Sequence, residues 1–165
     1  MKKIFLVVAI LFAFSYTLKA QNYSDFTLSD LSGNDITLSK LLEKGPVMLS
    51  FWASWCDPCK EEMRHLKDIY EIYKDKGFTY LAINEDDQKS IAKVKSFIES
   101  KDYKFTVVMD TENKVYEAYW GNTELTLPFS LLISKDKQIL AKHSNFLAGD
   151  EVKIEEEIKE ALGIK

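Results

Sequence analysis

Cys56 and Cys59 are the only cysteines in the 165-residue chain, and they stand in the run FWASWCDPCKEEM, residues 51–63. The run just before them, VMLSFW, is almost continuously apolar and reads as a buried central strand. Pro58 falls where a first helical turn begins, a position at which a missing N–H has no helical partner to lose. A helix that starts here directs free backbone N–H groups and its positive end at the Cys56 sulfur. That stabilises a thiolate and makes Cys56 a nucleophile near neutral pH. Cys59, one turn further in, is better shielded and close enough to attack a mixed disulfide formed by Cys56, so the pair can cycle between dithiol and disulfide. Two other uses are weighed against this one. A structural disulfide would close a very small loop and constrain the unfolded chain little. A zinc site would have to recruit His65 and His143, and the four residues show no ligand spacing, so no metal is expected.

The elements that must position the pair follow from periodicity. After the cysteines, Met63, Leu66, Ile69, Tyr70 and Tyr73 share one helical face, with Gly77 as the stop. FTYLAIN (residues 78–84) and KFTVVMD (residues 104–110) read as further strands, separated by a helix carrying Ile91, Val94, Phe97 and Ile98. NKVYEAYWG is a short helical or turn segment, FSLLIS and QILAKH form an antiparallel hairpin, and residues 150–162 form a last helix through Val152, Ile154, Ile158 and Leu162. Ahead of all this, DFTL and DITL flank a turn at Ser32-Gly33-Asn34 as a small β-arm, and Ser39 is placed to cap a short helix over residues 40–43. The fold class is α/β, with a partly parallel mixed sheet and helices on both faces.

Lys2 and Lys3 precede an apolar stretch over residues 4–14, and small Ala20 follows, which is the pattern of a secretory signal. The stretch is about half of the roughly 20 residues a bilayer-spanning helix needs. The reading is therefore a signal over residues 1–20 and one domain over 21–165, exported to the periplasm or cell envelope, or held at the membrane if the segment is uncleaved. Setting aside Lys2, Lys3 and Lys19 leaves 19 basic against 26 acidic residues, a net charge of −7 that disfavours nucleic acid as a partner.

FWASWCDPCKEEM, the β-arm, the central segment EDDQKSIAKVKSFIES and TLPFSLLI, in that order, resemble the thioredoxin superfamily, specifically its exported TlpA/ResA-like thiol-disulfide oxidoreductases. The resemblance implies a thioredoxin-like fold with an N-terminal β-arm. It also implies an enzyme without a bound cofactor beyond the Cys56–Cys59 couple. Cys56 would attack and Cys59 would resolve. Pro128 would be a cis-proline that exposes the backbone of Leu127 to an extended substrate. Trp55, Asp57 and Pro58 would complete the substrate-facing rim. Implied partners are cysteine-containing envelope proteins such as apocytochrome c, with electrons from a membrane thiol donor. A binding module with the same fold and incidental cysteines is the alternative.

One departure matters. Cytosolic thioredoxins carry a buried acid six residues before the first cysteine, and this chain has Ser50 there. The ResA-like pattern instead implies Glu62, three residues after Cys59 on the same helix, as the group that handles the resolving thiol's proton. Asp57 opposes thiolate formation at Cys56. The expected reduction potential is therefore nearer about −270 mV, as in thioredoxin, than about −120 mV, as in DsbA. Glu85-Asp86-Asp87 reads as a helix cap rather than a cation site, and Tyr116, Tyr119 and Trp120 as packing near the cis-proline segment.

Overall fold

The structure is a computed structural model and describes residues 23–164; the signal segment read over residues 1–20 lies outside them. A hairpin of β1 (Thr27–Ser29) and β2 (Asp35–Thr37) leads into α1 (Leu38–Leu42). Then follow β3 (Val47–Trp52), α2 (Asp57–Tyr73), β4 (Thr79–Asn84), α3 (Ile91–Ser100), β5 (Thr106–Met109) and α4 (Lys114–Trp120). The chain closes with β6 (Phe129–Ile133), β7 (Ile139–Ser144) and α5 (Asp150–Ala161). The main sheet has the order β5-β4-β3-β6-β7, with β3, β4 and β5 parallel and β6 and β7 antiparallel. The expected mixed sheet with a parallel part is thus present.

Strand alternation sorts the core into two layers. Met48 and Trp52 of β3 face the layer built with Met63, Leu66 and Ile69 of α2 and Ile154 and Ile158 of α5. Val47, Leu49 and Phe51 face the opposite layer, with Leu38, Leu42, Tyr116 and Tyr119. All six residues of β3 are buried, as its unbroken apolar run requires. Ser50 belongs by alternation to the α2 layer, and its cross-strand partner is Ser130 of β6. Two serines therefore sit side by side beneath the helix that carries the cysteines.

Two expectations need correction. Ser39 caps nothing: α1 starts at Leu38 after Thr37, which makes no side-chain cap bond, and the Ser39 N–H donates to Asp25 Oδ1 at 2.9 Å. Burial of Leu38 and Leu42, rather than a cap, sets where this helix begins. Val152 is exposed on α5, whose inward stripe is carried by buried Ile154 and Ile158, with Ala161 and Leu162 packed against the same layer at its end.

The backbone before β3 passes so close to the turn after α2 that a Cβ on Gly45 would collide with the Gly77 carbonyl oxygen. Gly77 itself has φ +98°. Gly45→Ala is expected to cost about 2 kcal/mol or more of stability, read as a lowered urea midpoint; an unchanged midpoint would show that the backbone yields freely here.

Candidate active site

β3 ends at Trp52, and the chain makes one turn before α2, closed by the Cys56 N–H donating to the Ala53 carbonyl at 3.0 Å. Cys56 is the N-cap of α2, in extended conformation, with Pro58 in the first turn. Its sulfur accepts the Cys59 N–H at 3.2 Å. The helix therefore begins as expected from the apolar run and the proline, and one of its first free N–H groups, that of Cys59, meets the Cys56 sulfur. Cys56 and Cys59 are joined as a disulfide. Cys56 is 5% exposed and Cys59 0%, so solvent reaches the pair only from the Cys56 side.

Trp55 stands beside the disulfide, 60% exposed, whereas Trp52 is core. Asp57 is exposed, and Lys60 holds it at 2.8 Å. The hydrogen bond and charge of Lys60 keep the Asp57 carboxyl below its ordinary range. The cation also offsets the negative charge that Asp57 brings to Cys56, which weakens the opposition expected of it.

Glu62 is 1% exposed. Its Oε2 accepts the Ser50 hydroxyl at 2.7 Å and its Oε1 the Ser130 hydroxyl at 3.0 Å. Burial pushes its carboxyl up to about 7, against the pull of the two hydroxyls. A carboxyl in that range exchanges a proton readily near neutral pH. Glu62 lies on the same helical face as Cys59, one turn on. Ser130, absent from the sequence reading, is as much a part of this arrangement as Ser50. Each is a lone hydroxyl in an apolar strand, and that is the signal the sequence offers.

The Leu127–Pro128 peptide is cis. Pro128 is buried and Leu127 half-buried, and among the described residues neither backbone group of Leu127 has a hydrogen-bond partner. The Tyr116 hydroxyl steadies the preceding loop, accepting the Thr126 N–H at 2.7 Å and donating to the Glu124 carbonyl at 3.2 Å. Tyr116 thus combines the packing role expected of it with a polar one. A cavity of ≈ 280 Å³ opens beside Pro128 and Glu62, walled by His143, Ser144, Phe146 and Ile154.

The acidic triplet divides. Only Asp87 caps, accepting the Ser90 N–H. Asp86 is buried and bonded to Ser54 and Asn84. Glu85 continues the alternation of β4 into the opposite layer and is buried there. Asn113, with its amide nitrogen turned inward, donates to Glu85 Oε2 at 3.0 Å, and Oε1 has no partner among the described residues. Burial first, then the charge of Asp110, pushes the Glu85 carboxyl up to about 9. A carboxyl whose folded value lies above its unfolded one binds its proton more tightly when folded, so stability falls as pH rises from about 4.5 to about 9. Glu85→Gln is expected to raise stability at pH 8 by about 2 kcal/mol and not at pH 4.5; equal gains at both pH values in urea unfolding would contradict this. Among the described residues, no group of three or more candidate ligands is arranged to hold a metal ion.

A parallel–antiparallel sheet with a cysteine pair at the N-terminal mouth of α2 and a cis-proline leading into β6 defines a thioredoxin-like protein. A profile of the AhpC/TSA family matches residues 20–142. Thiol-disulfide oxidoreductase ResA of Bacillus cereus is 39% identical over 118 residues, covering 72% of this chain and 65% of that protein. The chain thus spans slightly under two thirds of that relative's length. ResA of Bacillus thuringiensis subsp. konkukian is 35% identical over 138 residues, covering 84% of this chain and 73% of that one. Among solved structures, a Chlorobium tepidum protein assigned as thiol:disulfide interchange protein DsbE superposes with a TM-score of 0.77 at 30% identity, over 88% of this chain and 98% of its own. The chain belongs to the AhpC/TSA family and, within its thioredoxin-like members, to the ResA-like thiol-disulfide oxidoreductases.

Proposed function

We propose that the chain is an exported reductant of disulfides in cell-envelope proteins, working through Cys56 and Cys59 with no bound cofactor. The observation that carries this reading is the N-capping disulfide: the Cys56 sulfur accepts a helix N–H and is the partly exposed member of a pair whose other member is sealed.

In the dithiol form, the Cys56 thiolate attacks one sulfur of a client disulfide. A mixed disulfide forms, the client S–S bond breaks, and the other client sulfur leaves as a thiolate that takes up a proton. Cys59 then gives its proton to the Glu62 carboxylate and attacks the Cys56 sulfur. The mixed disulfide breaks, the second client sulfur leaves, and two electrons have passed to the client. Glu62 suits the task because burial and its two serine hydroxyls hold its carboxyl near 7. The client lies along the free backbone of Leu127 beside Pro128, with Trp55 and Pro58 on the other side of the sulfur pair and Asp57 at the rim. A membrane-bound thiol donor returns the electrons. Apocytochrome c, whose cysteine pair must be reduced before haem attachment, is the client class in keeping with the ResA-like relatives. Export rests on the charged and apolar pattern of residues 1–20.

The test is turnover. The folded chain, reduced and mixed with a peptide carrying a two-cysteine disulfide, should become oxidised in step with peptide thiols released. Clients captured by the chain after loss of both cysteines, with no thiols released by the unaltered chain, would favour the polypeptide-binding alternative.

A further inference from the structure

Asp86 and Ser54 form a buried clasp that neither capping nor the redox chemistry above accounts for. Asp86 Oδ2 accepts the Ser54 N–H at 2.6 Å, and Oδ1 accepts the Ser54 hydroxyl at 2.8 Å. Oδ2 also accepts the Asn84 amide at 2.9 Å, and Asn84 Oδ1 in turn accepts the Asp86 N–H at 3.1 Å. Ser54, Asn84 and Asp86 are all buried. Ser54 is the second residue of the turn that the Cys56 N–H closes onto Ala53. The clasp therefore ties the end of β4 to the one turn that lies between the central strand and the sulfur pair. Three hydrogen bonds to one buried carboxylate specify a single geometry, because leaving any of those donors unmet inside the protein is costly.

We propose that Asp86 and Ser54 are positioning residues for Cys56. By fixing turn 53–56 they hold Cys56 in the extended conformation that puts its sulfur on the Cys59 N–H, and they fix the stance of exposed Trp55 at i+2 of the same turn. This rests on the redox reading above. When the clasp is loosened, the sulfur spends less time at the helix N-terminus, and the thiolate loses the N–H that stabilises it. The other charged side chains near Cys56 on its own helix are Asp57, paired with Lys60, and buried Glu62.

The direction of the effect separates positioning from simple electrostatics. Removing the charge of Asp86 with the turn unmoved would favour the Cys56 thiolate; releasing the turn disfavours it. In the reduced full-length chain, the rate of Cys56 alkylation by iodoacetamide is followed from pH 5 to 10. Asp86→Asn should lower the rate at pH 7 about tenfold and Ser54→Ala about threefold. Both should converge on the unaltered chain at high pH, and Ser54→Thr, which keeps the hydroxyl, should restore the rate. Profiles that superimpose, or a faster reaction in Asp86→Asn, overturn the proposal. If Asp86→Asn fails to fold by circular dichroism, Ser54→Ala, which leaves the Asp86–Asn84 contact intact, decides alone. An unaltered chain whose Cys56 reacts no faster than free cysteine would instead sink the redox reading, and this proposal with it.

Discussion

Cys59→Ser is expected to turn the chain from a catalyst into a trap. The Cys56 sulfur has partial exposure and a helix N–H to stabilise it, so its attack on a client disulfide survives the substitution. Resolution does not, because the serine hydroxyl one turn away is too weakly acidic to attack as an anion. Turnover of a peptide disulfide should fall by on the order of 1,000-fold, while a mixed disulfide with the client persists on non-reducing gels. Cys56→Ser should lose turnover to the same degree and trap nothing, since Cys59 is sealed from solvent. Trapping through Cys59 in that variant would reverse the assignment of the two sulfurs.

Glu62→Gln carries the second large effect. The amide keeps the volume and can accept a serine hydroxyl, but it cannot take the Cys59 proton. Resolution at pH 7 should slow about a hundredfold, and the deficit should shrink as pH rises and hydroxide deprotonates the thiol. The oxidised protein should respond in the opposite sense. Because burial raises the folded carboxyl to about 7, its ionisation costs stability as pH rises from about 4.5 to about 7. Glu62→Gln should therefore make the disulfide form about 2 kcal/mol more stable at pH 8 and leave it little changed at pH 4.5. Slower turnover combined with a more stable fold is the signature of a group placed for chemistry at the expense of stability. Unchanged turnover across the pH range would remove Glu62 from the reaction.

The junction of β3 and α2 is legible in the sequence because every local signal agrees there: an unbroken apolar strand, two cysteines and a proline at the first turn. Glu62 is legible through its helical spacing from Cys59. Its partners are only half so. Ser50 stands out by position, but Ser130 reaches Glu62 only because β6 pairs with β3 in a register that aligns the two serines. No local pattern reports a cross-strand neighbour so far along the chain. The acidic triplet eludes the sequence for a related reason. Three acids before a helix fit one cap, which Asp87 provides to the single 3-10 turn over residues 88–90 that leads into α3 rather than to α3 itself, and capping logic cannot say where the other two point. Extending the alternation of β4 by one residue sends Glu85 into the layer containing Asp110 and Tyr116. Asp86 meets Ser54 only through the parallel pairing of β3 and β4. Val152 shows the converse: an apolar residue at a plausible helical position that the fold leaves outside.

Passage of electrons through the Cys56–Cys59 pair of the folded chain is what the proposed function requires. Its most direct test is equilibration in dithiothreitol buffers of graded potential, with the two thiols counted by alkylation and mass spectrometry and folding followed by circular dichroism. A single two-electron transition near about −270 mV, with the fold intact on both sides, is the predicted result. A bridge that opens only when the chain unfolds would contradict the account.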